Sequence, residues 1–186
     1  MRLYAGMSTE FVRDTTHNRI ADKLTEAFVQ YYRHRPSPSE IGSWRNSLRA
    51  MSLIVADAKL VDHGVMLEYQ PPMSSRCLDF LVCAKDRVGK DRAVIVELKQ
   101  WDACEEPDAD DLVASRLGGR MRDVLHPSVQ VGQYQQYLKD NNSAFYDGTE
   151  PVGLDARCYL HKLDRDPQFG PRSEPHFAHY FRRYAV

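Results

Sequence analysis

The chain has 186 residues, long enough to bury one sizeable core and short for two domains. With 42% hydrophobic and 27% charged residues it reads as globular rather than disordered, and at a net charge of −1 any nucleic-acid partner must be held by a local basic patch. No apolar run approaches the ~20 residues that span a bilayer, "MRLYAGMSTEFVRD" lacks the apolar centre of a signal peptide, and four cysteines without a CxxC spacing read as reduced thiols of a cytoplasmic protein.

Residues 14 to 33 place Ile20, Leu24, Ala27, Phe28 and Tyr31 at helical spacing, which predicts one amphipathic helix ended by the prolines of "YRHRPSPSE". A second helix starts at Ser37, with Pro38 at its first position, Glu40 completing a capping box, and Trp44, Leu48, Met51 and Val55 on one face. Three strands follow: "GVMLEYQ", "CLDFLVCA" and "RAVIVELKQW". The polar turn "KDRVGKDR" makes the last two a hairpin, and the near-continuous apolar run of the third suits a strand covered on both faces. Six of the ten residues from Asp102 to Asp111 are acidic, a solvated loop. "RLGGRMRDVL" is a glycine-broken basic stretch read as a surface loop, "HPSVQVGQYQQYLKDNN" a helix with Pro127 at its first position, and "ARCYLHKL" a further strand. The order predicts a single α/β domain over residues 1–186, with a central mixed sheet flanked by helices.

Glu97 and Lys99 lie two apart in a strand and therefore project from one face. Burying either charge alone is costly, so that face is expected to open into a polar cleft. Asp79, central in the preceding apolar strand, meets Glu97 if the hairpin pairs in the ordinary sense. Two converging carboxylates repel unless a cation lies between them. Mg²⁺ or Mn²⁺, bound by few protein ligands and several waters, fits that need. Beside it, Lys99 is placed to polarise a phosphate or orient water, which is apparatus for phosphodiester hydrolysis.

Asp79 followed by Glu97-Leu98-Lys99 resembles the PD-(D/E)XK nuclease signature, with Leu78 where that family often has proline. Gln130 and Tyr134, one helical turn apart, add a QxxxY pair similar to that of the RecB-like and lambda-exonuclease-like branch. Gln133 and Tyr137 repeat the spacing, and the first pair is preferred because "HPS" leads directly into Gln130. Together, "RPSPSEIGSWRNSL", "LEYQPPMSSRCLDFLVC", "AVIVELKQW" and "HPSVQVGQYQQYL" look like the N-terminal nuclease-like module of the Schlafen-group-3-like DNA/RNA helicase family, over roughly residues 10 to 163.

The resemblance implies a PD-(D/E)XK core and a native chain that continues into a helicase domain. No GxxxxGK[ST] loop is present here to form a motor. It also implies metal ligation by Asp79 and Glu97, with the backbone carbonyl of Leu98 as an added ligand. Glu68 is a further candidate ligand, its alternative being an exposed strand residue. Glu40 is another acid of the kind such folds take from the first helix, although its capping position is a sufficient structural reason for it. Arg116, Arg120 and Arg122, beside two glycines, and His126 are the candidate nucleic-acid contacts. The expectation is a metal-dependent nuclease, with DNA favoured over RNA. The alternatives are a nucleic-acid-binding module that does not cut, and a dimerisation module using the aromatic stretches "HFAHYFRRYAV" and "QYQQYL", whose partner is a second copy.

Overall fold

The computed structural model describes residues 1–101, 104–105 and 111–162. Its centre is a five-stranded sheet in the order β1 (Arg2–Met7), β2 (Gly64–Tyr69), β3 (Leu78–Lys85), β4 (Asp91–Lys99), β8 (Gly153–Leu160). The first four strands pair antiparallel, and β4 and β8 run parallel. This is a mixed sheet flanked by helices, as the element order predicts. The hairpin expected at "KDRVGKDR" joins β3 to β4, with Lys85 opposite Asp91.

Helices α1 (Ser8–Thr16), α2 (Ile20–Tyr32) and α3 (Pro38–Asp57) cover one face. Phe11, Leu24, Phe28, Trp44, Leu48 and Val55 pack there against Leu67, Phe80, Val96 and Leu98. Helix α4 (Pro127–Asn141) covers the other face, where Val131, Tyr134 and Leu138 meet Leu81, Ala93, Ile95 and Leu154. Alternation along β4 thus feeds two cores, so its apolar run is almost unbroken.

Two expectations need correction. The single helix over 14 to 33 is two helices: Asn18 takes a left-handed φ of 56°, and the chain re-enters a helix at Ile20. The apolar stripe gave no sign of that break because all its residues, Ile20 through Tyr31, lie in α2. The stretch "RLGGRMRDVL" is not a surface loop but most of a β-hairpin. Strands β6 (Leu112–Leu117) and β7 (Arg120–Leu125) pair antiparallel around Gly118 and Gly119, with β5 (Cys104–Glu105) alongside. Both glycines have positive φ, 59° and 79°, as a two-residue hairpin turn whose twist matches its strands requires. Most of the acidic run 102–111 and all of "HFAHYFRRYAV" lie outside the described residues. Among the described residues no helix is long and apolar enough to cross a membrane, and all four cysteines are free thiols.

Candidate active site

The site forms at one end of the sheet, where the β2–β3 ladder is interrupted and the β3–β4 ladder ends, while β4 stays paired with β8 through Lys99. The β2–β3 register runs from Gly64↔Cys83 to Leu67↔Phe80 and resumes at Tyr69↔Leu78, skipping Glu68 and Asp79, which stand opposite each other. The β1–β2 register skips Glu68 as well. Glu68 has a φ of 49°, a left-handed conformation that a non-glycine residue rarely takes, and this accounts for the interruption in both ladders. On the other side of β3, the last pair is Phe80↔Val96. Beyond it the Asp79 side chain takes over from the ladder: its Oδ2 accepts a hydrogen bond from the Leu98 amide at 2.8 Å.

Val96 and Leu98 face the core under α1–α3, so Glu97 and Lys99 project toward α4. Glu97 is 2% exposed. Its Oε1 accepts from Lys99 Nζ at 2.7 Å and from Gln130 Nε2 at 2.6 Å. Gln130 Nε2 also donates to the Tyr134 hydroxyl at 2.8 Å. Glu97 Oε2 is buried and, among the described residues, has no hydrogen-bond partner. The second QxxxY pair points elsewhere: the Tyr137 hydroxyl donates to the Pro72 carbonyl at 2.7 Å, and Gln133 is exposed.

Two braces hold the end of β4. Gln100 Nε2 donates to the Ser43 hydroxyl at 2.8 Å, and Asn46 donates to Gln100 at 3.2 Å, tying the strand to α3. Across the sheet, the His161 amide donates to the Lys99 carbonyl at 3.2 Å. The strand end that carries Glu97 and Lys99 is therefore fixed by α3 and by the chain just past β8.

Burial raises the Asp79 pKa well above the usual carboxylate range, and the charges of Glu97 and Glu68 push it further, against the Leu98 amide and Lys99. Burial also raises Glu97, opposed by Lys99 and by the Gln130 hydrogen bond. Glu68 is raised by burial, with hydrogen bonds from Trp44 and Cys77 working against it. Three carboxyls thus share one field at the sheet end, each held above its ordinary pKa.

Among the described residues no group of three or more His, Cys, Asp or Glu side chains is gathered as a metal cage. The donor chemistry fits a sparsely ligated hard cation instead: the unpartnered Glu97 Oε2 and the adjacent Asp79 carboxyl are oxygen donors whose repulsion a divalent ion relieves. Glu68 is the less available acid. Its Oε1 accepts from Trp44 Nε1 at 2.7 Å, and its Oε2 lies 3.4 Å from the Cys77 thiol. Ser37 caps α3 as expected, its Oγ accepting from the Glu40 amide at 3.1 Å, which is the Ser37 half of the expected capping box.

The predicted nucleic-acid contacts do not form one patch. Arg120 and Arg122 stand opposite Leu117 and Ser115, on one face of the β6–β7 hairpin, and Arg116 pairs with Met121 on the other; all three arginines are exposed. His126 is the N-cap of α4, its Nδ1 accepting from the Ser128 amide at 3.1 Å. One cation escaped the sequence reading. The exposed Arg76 guanidinium lies 5.8 Å from the Tyr134 ring centroid, which brings it to the mouth of the site. It lies three residues before Asp79, but nothing in "SSRCLD" fixes which way such a loop side chain turns. Comparisons with protein-family models, curated proteins and solved structures gave no match.

Proposed function

We propose that the chain is a metal-dependent phosphodiesterase acting on nucleic acid, DNA in preference to RNA, built on a PD-(D/E)XK-type core. The observation that carries this reading is the buried Glu97, which shares Oε1 between Lys99 and Gln130 while Oε2 has no partner among the described residues, beside an Asp79 whose pKa is raised by burial and pushed further by the charge of that same glutamate. A carboxylate left half-satisfied in a buried place is costly without a cation. Asp79 and Glu97 would hold Mg²⁺ or Mn²⁺, with the Leu98 carbonyl and Glu68 as candidate further ligands. Such an ion supplies Lewis acidity and a bound water of lowered pKa.

The chain's own residues supply the rest. Lys99 Nζ, held on Glu97, keeps a positive charge next to the acids, where a phosphate oxygen needs one. Gln130 and Tyr134 fix the Glu97 carboxylate in place, and Arg76 offers a second cation at the rim. The resemblance to the nuclease-like module of the Schlafen-group-3-like helicase family supports a setting beside a helicase domain. A cytoplasmic location and a homodimer belong to the same reading. A second reading, binding without cutting, rests on one observation: the Lys99 ammonium is engaged by Glu97 at 2.7 Å, as a purely structural ion pair would be.

Incubation of the purified chain with end-labelled single- and double-stranded DNA and RNA separates the two. Cleavage in Mn²⁺ that stops with chelator and with Glu97→Ala is expected. Cleavage that survives Asp79→Ala or Glu97→Ala overturns the mechanism, and metal-independent, salt-sensitive binding alone selects the second reading.

A further inference from the structure

The last turn of α2 and the loop into α3 carry side chains that neither core absorbs. Phe28 is buried, but Tyr31, Tyr32, Arg33, His34 and Arg35 are all exposed in succession. The rings form a cluster seated on Phe28. Its centroid lies 4.5 Å from Tyr32 and 5.2 Å from His34, and Tyr31 meets Tyr32 edge-on at 4.8 Å. Tyr31 is 57% exposed, a large aromatic surface left in water. Arg33 ends α2 in a left-handed conformation, and among the described residues neither it nor Arg35 has an ion-pair partner.

This cluster is continuous with the carboxylate site. Phe28 stacks toward Trp44 at 6.0 Å between centroids, and Trp44 Nε1 donates to Glu68. The Tyr32 hydroxyl donates to Gln70 Oε1 at 3.4 Å, and Gln70 Nε2 donates in turn to the Ser74 carbonyl in the segment leading to Asp79. The rings and two cations therefore border the end of the sheet on the α1–α3 side, across from Arg76 and Tyr134. An acid-rich site repels phosphates, so its substrate has to be held by cations and by contacts indifferent to charge. Exposed rings interleaved with arginines offer both to bases whose faces are free, and a duplex keeps those faces in its own stack.

We propose that Tyr31, Tyr32 and His34, with Arg33 and Arg35, form a stacking platform that receives the unpaired nucleotides of a single-stranded nucleic acid next to the carboxylate site. The platform rests on the nucleic-acid reading of that site and names its substrate class. Tyr31 and Tyr32 take base faces, and Arg33 and Arg35 take phosphates.

The test is fluorescence anisotropy of the full chain in chelator with three labelled probes of roughly twelve nucleotides: oligo(dT), an abasic strand of the same length, and a blunt duplex. Oligo(dT) is expected to bind more tightly than either of the others. Tyr31→Ala with Tyr32→Ala should weaken oligo(dT) about tenfold and leave the abasic strand unchanged. Arg33→Ala with Arg35→Ala should weaken both strands and flatten the salt dependence. Tyr32 packs on Phe28, so if the double tyrosine variant loses its circular dichroism spectrum, the exposed Tyr31→Ala alone is read, with a smaller loss of the same selectivity. Folded tyrosine variants with parental affinity, or oligo(dT) bound no more tightly than the abasic strand or the duplex, overturn the platform. So does a dimer, seen by sedimentation, that Tyr31→Ala dissociates without changing oligo(dT) affinity. Because chelator removes cutting from the measurement, a chain that binds this way but never cleaves in Mn²⁺ overturns the nuclease reading and supports the platform.

Discussion

Asp79 and Glu97 set the metal-free stability of the site. Both carboxyls hold their protons more tightly in the folded chain than in the unfolded one. Stability is therefore highest at low pH and falls as pH rises from the ordinary carboxyl value, about 4, through the raised folded values. Asp79→Asn removes one of the repelling charges while its amide oxygen can still accept from Leu98. It should raise the neutral-pH stability in chelator by about 1 kcal/mol, seen as a higher melting point, lose that advantage near the acid end of the window, and abolish cleavage. Melting curves across pH check this; a variant less stable than the parent at neutral pH contradicts it. Arg76→Ala, at the rim and exposed, should raise KM with little change in kcat, because it removes a phosphate contact and leaves the acids untouched; steady-state kinetics on a labelled oligonucleotide decide. The acids and Lys99 were legible because charges inside an apolar strand demand an explanation. Arg76 was not, since it lies in a loop whose direction only the folded chain reveals.

The elements hold those residues in place, and each has its own sensitivity. Helix α4 carries Gln130 and anchors through Leu138, 1% exposed in the core it shares with Leu81 and Ile95. Leu138→Ala should destabilise the chain by about 2–5 kcal/mol. Ser37→Ala removes the α3 cap and should cost about 1 kcal/mol without changing the cleavage rate; denaturant unfolding alongside the assay separates the two. The helices α3 and α4 were readable from Pro38 and Pro127 at their starts, and β2, β3 and β4 from their apolar runs. Strand β1 escaped notice because Leu3 and Tyr4, its two buried residues, are adjacent rather than alternating. The β6–β7 hairpin hid for a related reason: β7 is mostly exposed, so no alternation marks it, and Gly118-Gly119 remained as its sole signal.

At the scale of the whole molecule, the sheet separates two cores, and the carboxylates stand at its end, where the β2–β3 ladder is interrupted and β3 parts from β4. This placement could not be read from spacing alone. It depends on the left-handed Glu68, which breaks two ladders at once, and on the Leu98 amide, which turns to a side chain where β3 leaves it. The α1–α3 layer presents rings and arginines at that same end, and α4 presents Gln130 and Tyr134, so a strand lying across the sheet end touches both layers. The proposed chemistry depends on a divalent ion held by Asp79 and Glu97. A crystal soaked in Mn²⁺ and recorded at the manganese absorption edge should show an anomalous peak in contact with the Asp79 and Glu97 carboxylates, and none in the same soak of Glu97→Gln. Saturating Mn²⁺ that leaves these two carboxylates without a peak, or a peak that persists in Glu97→Gln, contradicts the metal site and the chemistry built on it.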